Sequence, residues 1–151
     1  GLINLQNAID NGFNDFTQCE LSPELIIHHD NPAGKLRITY AKIINSKIIS
    51  YAVYVIAEPL NGLPCFNLGY AVPKEYRNKG YAEDILKKSI AELKNGFGRN
   101  NTKKFYLEAI VGIDNLASQG LANKVISASP KACTDSVSGK KAFAYTRLIE
   151  T

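Results

Sequence analysis

Leu68-Gly-Tyr-Ala-Val-Pro73-Lys-Glu-Tyr-Arg77-Asn-Lys-Gly80-Tyr-Ala82 is the stretch on which the fold turns. An apolar run breaks at Pro73, a short basic turn follows, and Gly80 opens an amphipathic segment reaching from Tyr81 to Asn95. The pattern predicts a strand, a tight loop and a helix in that order. Such a junction aims the free N–H groups of the first helical turn, and the positive end of the helix dipole, at one spot. A phosphate or pyrophosphate suits that spot. Taken alone, the loop also reads as a plain connector whose glycine serves only a positive φ.

Working outward, Ala82, Ile85, Leu86, Ile90 and Leu93 recur on one helix face, with Glu83, Asp84, Lys87, Lys88 and Glu92 mainly opposite. Asn95-Gly96-Phe97-Gly98 reads as the helix end, with glycine in a capping role. Downstream, Lys103 to Gly112 is a nearly continuous apolar strand interrupted by Glu108. Strand, helix and strand in this order imply a right-handed parallel crossover. Asn115 to Ile126 reads as a second helix with Ala117, Leu121 and Val125 inward, and Lys141 to Ile149 as a final strand beyond a looped segment with room for another. Upstream, Lys35 to Ile44 and Lys47 to Ala57 alternate around Asn45-Ser46 as a β-hairpin, and Cys65 to Val72 is the next strand. Residues 2–10 and 21–27 read as short helices parted by Asn11-Gly12, with no β-rich run before them. The expected fold is an α/β protein: a mixed, mostly antiparallel sheet flanked by helices, with one parallel strand–helix–strand crossover. At 151 residues it is expected to be a single domain.

A hydrophobic content of 45% and a charged content of 21% are ordinary for a globular chain. No run of about 18 apolar residues exists, and the N-terminus lacks the basic start and apolar core of a signal peptide, so no membrane partner is expected. Cys19, Cys65 and Cys133 stand far apart with no C-x-x-C pair. They argue against a disulfide framework or a zinc site and for a reducing, cytoplasmic location. His28-His29 are adjacent and so point apart on a strand, which leaves no metal-ligand spacing. The net charge of +4 is spread along the chain rather than gathered into a stripe with interleaved aromatics, so no nucleic-acid partner is expected. The excess suits attraction of an anionic cofactor.

The spacing Arg77-x-x-Gly80-x-Ala82, after a strand and opening a helix, resembles motif A of the Gcn5-related N-acetyltransferases, the GNAT family. Asn115-Leu-Ala-Ser118 resembles the same family's motif B, and Lys124 matches its basic residue near the end of that helix. The order of elements is also that of the GNAT fold. The resemblance implies acetyl-coenzyme A as cosubstrate and no metal. It implies that the loop Arg77, Asn78, Lys79, Gly80, Tyr81 and Ala82 cradles the pyrophosphate. The backbone edges of Tyr70 and Val72 would pair with the pantetheine arm, and Asn115 and Ser118 would lean toward it. Read as residues, Asn115 also serves as a helix N-cap. The match departs at Ile126-Ser127, where Gly-Phe is common, and at Ala122, where a tyrosine often protonates the leaving thiolate.

The implied reaction is direct transfer of an acetyl group to an amine, with a carboxylate taking the amine's proton. Glu108, interrupting an apolar strand, and Glu58, ending the second hairpin strand, are the candidate bases; Tyr145 is the remaining candidate acid. Solvated strand end for Glu58 and strand packing for Tyr145 are the plain readings beside these. The expected partner is a small-molecule amine, with a protein or peptide amine as second choice and the protein as monomer or homodimer. A non-catalytic acyl-coenzyme A sensor is the alternative that Ala122 motivates.

Overall fold

The computed structural model describes residues 2–151. Helix α1 (Leu2–Asp10) opens the chain, followed by strands β1 (Thr17–Gln18), β2 (Leu25–Asp30), β3 (Arg37–Ile44), β4 (Lys47–Leu60) and β5 (Leu63–Ala71). Then come α2 (Tyr81–Arg99), β6 (Lys104–Gly112), α3 (Leu116–Val125), β7 (Lys131–Thr134) and β8 (Lys141–Glu150). The strands of the described residues form one sheet in the order β1-β2-β3-β4-β5-β6-β8-β7. Its pairs are antiparallel except β5–β6, which α2 connects as a parallel crossover. The mixed α/β architecture with a single parallel pair is the one the sequence predicts. No described helix is long and apolar enough to cross a membrane.

Alternation dictates which side of each strand is covered. Tyr40, Ala52, Tyr54, Phe66, Leu68, Phe105, Leu107, Ala109 and Tyr145 fall on one face and form the core with Ile85, Leu86, Ile90 and Leu93 of α2 and Ala122 and Val125 of α3. Tyr40 and Tyr54 meet edge to face at 5.8 Å, and the buried Tyr54 hydroxyl bonds Ser89 Oγ at 2.6 Å. Burying two phenols this way is tolerable because their rings bring large apolar area and one hydroxyl finds a partner.

Three expectations are corrected. Residues 21–27 do not form a helix: Leu25–Asp30 is a strand whose whole length pairs with β3, from Leu25↔Lys42 to Asp30↔Arg37. Its Leu-Ile-Ile run has ambiguous periodicity, and pairing decides it. The glycines at 96 and 98 do not end α2, which continues to Arg99. Phe97 there stacks on Phe66 at 5.3 Å and meets Phe105 at 4.9 Å. That aromatic packing offsets a glycine cost of about 1 kcal/mol each. Ala117 is exposed, while Val125 is buried as expected together with Ala122, and Leu121 packs half-buried against the core. In β6, Phe105, Leu107, Ala109 and Val111 are buried, and Glu108, which interrupts the apolar run as expected, lies half-buried on the face away from α2 and α3.

Candidate active site

The pairing of β5 with β6 covers only Cys65↔Tyr106, Phe66↔Leu107 and Asn67↔Glu108. Beyond that point β5 runs on to Ala71, still paired with β4, and β6 to Gly112, still paired with β8. The two strands therefore part, and a cleft of about 540 Å³ lies where they separate. Its walls are the end of β5 (Tyr70, Ala71, Val72), the loop and first turn of α2 (Tyr76, Arg77, Asn78, Gly80 to Glu83), and the first turns of α3 (Asn115, Ala117, Ser118, Leu121). Two helix N-termini thus face one opening at the C-terminal ends of parallel strands, the usual position for a ligand in a sheet of this kind.

The local backbone explains the loop sequence. Asn78 and Gly80 both hold positive φ, at 62° and 82°. A Cβ added at Gly80 would meet no protein atom within 4 Å, so the residue is glycine for its φ and for the open space in front of it. No side chain caps α2, and its first intrahelical bond runs from Asp84 N–H to Gly80 carbonyl. The N–H groups ahead of Asp84 are accordingly free of helical partners. Arg77 Nε donates to Val72 carbonyl at 2.9 Å and pins the loop to the strand end. Lys42 Nζ stands 5.0 Å from the Tyr81 ring and holds the start of the helix from β3.

An acid in the first turn of α2 would repel an anion, but Glu83 is neutralised. Lys124 reaches it from α3 at 2.7 Å and Lys87 at 3.1 Å, and these ammonium groups hold its carboxyl below the usual range. On α3, Asn115 Oδ1 accepts from Ser118 N–H at 3.1 Å, so Asn115 is the N-cap while also lining the cleft. Tyr70 brings the unexpected feature: its hydroxyl is buried with no partner in hydrogen-bond geometry. Burial raises this phenol above its ordinary value, opposed in part by the Ser118 side chain, which stands close but outside that geometry, and reinforced by Tyr145.

Tyr70, Val72, Arg77, Asn78, Gly80, Tyr81, Ala82, Asn115 and Ser118 therefore share one cleft, while Lys79 is exposed on the loop outside it. Sequence reasoning used Tyr70 for its backbone alone and passed over Glu83, Tyr76 and Leu121; only the pairing of Glu83 with Lys124 had a visible trace, in the match of Lys124. The catalytic candidates scatter. Glu108 sits at the throat, in the last β5–β6 pair, with Thr146 Oγ1 at 3.5 Å. Tyr145 is buried in the core opposite Ala109 rather than lining the cleft. Glu58 is exposed at an irregularity between Ala57 and Leu60. It lies seven positions along β4 from Tyr51, the partner of Ala71, hence about 23 Å from the cleft end of the strand.

A second cleft, of about 630 Å³, lies against the other half of α2. Several of its polar groups are matched within the protein: Glu92 accepts from the N–H groups of Leu21 and Ser22, and Glu20 takes Arg99 and Asn95. Its thiol, Cys19, is pushed up to about 12, chiefly by burial. This is a junction between α2 and the β1–β2 segment, held by its own hydrogen bonds.

No family model matches the sequence, and no curated protein matches it significantly. Solved structures do match in fold. A GNAT-family acetyltransferase from Streptococcus pneumoniae superposes with a TM-score of 0.55 at 18% identity, over 75% of this chain and 66% of that one. RimL, a ribosomal-protein alpha-N-acetyltransferase in complex with coenzyme A, gives 0.54 at 17% over 75% and 62%. A spermidine N-acetyltransferase chimera from Vibrio cholerae and hSSAT gives 0.52 at 14% over 74% and 69%. The chain thus spans a little under two thirds of the length of the first two. Its fold is the GNAT acetyltransferase fold.

Proposed function

We propose that this chain is a GNAT-type N-acetyltransferase that binds acetyl-coenzyme A in the cleft between β5 and β6 and moves its acetyl group to a primary amine. The observation that carries this is the meeting, in one opening, of the uncapped start of α2, the left-handed Asn78 and Gly80, and the parted strand ends. The donor set fits the cosubstrate: free N–H groups for a pyrophosphate, free strand edges for an amide-bearing arm, and an unpartnered Tyr70 hydroxyl farther in. Arg77 and the first turn of α2 would hold the diphosphate, and Asn115 and Ser118 would flank the arm. Glu108, at the throat and on the face away from α2 and α3, would take the amine's proton; Glu58 and Tyr145 are given no part.

A small-molecule amine is the proposed acceptor class. The structural neighbours include one named for spermidine and one named for a ribosomal protein, so a protein amine is the competing class. Release of coenzyme A from acetyl-coenzyme A, followed against polyamines, aminoglycosides, amino acids and short peptides, tests the reading. Turnover with one class is expected, and Glu108→Gln should lower it at saturating acetyl-coenzyme A while leaving coenzyme A binding intact. Absence of coenzyme A binding by calorimetry would defeat the proposal. Binding without turnover across the panel would favour the sensor reading, which the small, buried Ala122 supports by giving α3 no phenol.

A further inference from the structure

The proposed reaction expels a thiolate that must gain a proton, and α3 carries no donor for it at position 122, where Ala122 is 1% exposed in the core. The neighbouring strand does. Tyr70 projects from β5 toward the helices, opposite Ala52, and lines the cleft. Its Oη is the one buried side-chain polar atom among the described residues with no hydrogen-bond partner. Leaving a buried hydroxyl unpaired destabilises the fold, a cost that a bound ligand can remove. Ser118 stands beside it, and Ser118 and Ala122 lie one helical turn apart on the same side of α3. The phenol therefore approaches, from the strand, the side of α3 on which position 122 lies.

We propose that the Tyr70 hydroxyl donates to the sulfur of the thioester substrate and returns a proton to it as the thiol departs. The inference rests on the acetyl-coenzyme A reading of the cleft. In the balanced step the neutral amine nitrogen forms the C–N bond, and the C–S bond breaks with its electron pair on sulfur. The Tyr70 O–H then breaks as the S–H forms, water reprotonates the phenolate, and the proton lost by nitrogen passes to Glu108 or solvent. No oxidant or reductant is involved. Burial keeps the phenol protonated at neutral pH, so it stands as a donor before the reaction begins.

The test compares coenzyme A with desulfo-coenzyme A by isothermal titration calorimetry, in the wild type and in Tyr70→Phe. The wild type is expected to favour coenzyme A by about tenfold, more as pH rises through the thiol's titration. Tyr70→Phe should bind both equally, with affinity for desulfo-coenzyme A unchanged and a melting temperature no lower than wild type. With an amine the wild type accepts, Tyr70→Phe should also lose roughly a hundredfold in kcat. A preference that survives in Tyr70→Phe, its absence from the wild type, or an equal loss for both ligands would overturn the inference. So would a Tyr70→Phe protein that fails to fold, since the hydroxyl would then have a structural partner. A wild type that binds neither ligand would sink the acetyl-coenzyme A reading itself, a different result from any of these.

Discussion

The two ends of α2 each carry a cleft, and the two treat polar groups in different ways. At the C-terminal half, around Glu92, the donors and acceptors described above find partners within the protein. At the N-terminus the helix has no side-chain cap, and the Tyr70 hydroxyl in the same cleft lacks a hydrogen-bond partner. The better-satisfied cleft is also the larger, so volume is a poor guide to function here. What distinguishes a site from a packing junction is hydrogen-bonding capacity left unspent, because a fold retains such groups at a cost in stability.

Substitutions at either end can break that contrast. The largest effect is expected from Glu92→Ala, which strips two partly buried backbone N–H groups of a charged acceptor. It should lower stability by about 3 kcal/mol in urea titration while leaving coenzyme A affinity intact; loss of affinity would make the far junction part of the site. Gly80→Val should act the other way. Its side chain enters space empty of protein, so coenzyme A affinity should fall about a hundredfold, or roughly 2.8 kcal/mol, as read by calorimetry. Stability should drop by only about 1–2 kcal/mol from the left-handed backbone. Retained affinity would refute the phosphate loop. Asn115→Ala removes the α3 cap and should cost about 1 kcal/mol of stability together with a few-fold of affinity, joining the two roles in one residue. If only stability changes, Asn115 is a cap and nothing more.

The smallest effect belongs to the Asp30–Arg37 pair on β2 and β3, each side chain about a third exposed. The Arg37 guanidinium holds the Asp30 carboxyl below its ordinary value. A depressed folded pKa means the pair contributes above the unfolded value of about 4 and loses that contribution as pH falls through the folded value. Asp30→Asn should therefore cost about 0.5 kcal/mol at pH 7 and nothing at the acid limit, in denaturation curves taken across that range. An equal cost at both pH values would remove the ion pair from the account.

What the sequence disclosed follows from how local each feature is. Pro73, Gly80 and the helical face from Ala82 to Leu93 lie within a few turns of one another, so the loop and its helix were legible. The strand at Leu25–Asp30 was not, because only pairing with β3 separates a strand from a short apolar helix there. The end of α2 was misread because Phe97 finds its partners on β5 and β6, remote in sequence. The side of β6 on which Glu108 lies was not legible either, because the apolar residues around it hide an alternation that only the packing of α2 and α3 resolves into two faces. The distance of Glu58 from the cleft depends on which end of β4 meets the end of β5. The isolation of the Tyr70 hydroxyl is legible only once every neighbour is in place.

The parting of β5 and β6 leaves two strand edges inside a sheet rather than at its rim. Exposed edges ordinarily template pairing with other chains, and proteins blunt them with charges, prolines or short strands. This seam uses shape instead. Diverging ladders cannot both meet a flat incoming strand, and the first turns of α2 and α3 close over the gap from one side. A slender, flexible chain with a few amide groups can still thread between them. The geometry that admits a ligand thus also guards the sheet against self-association.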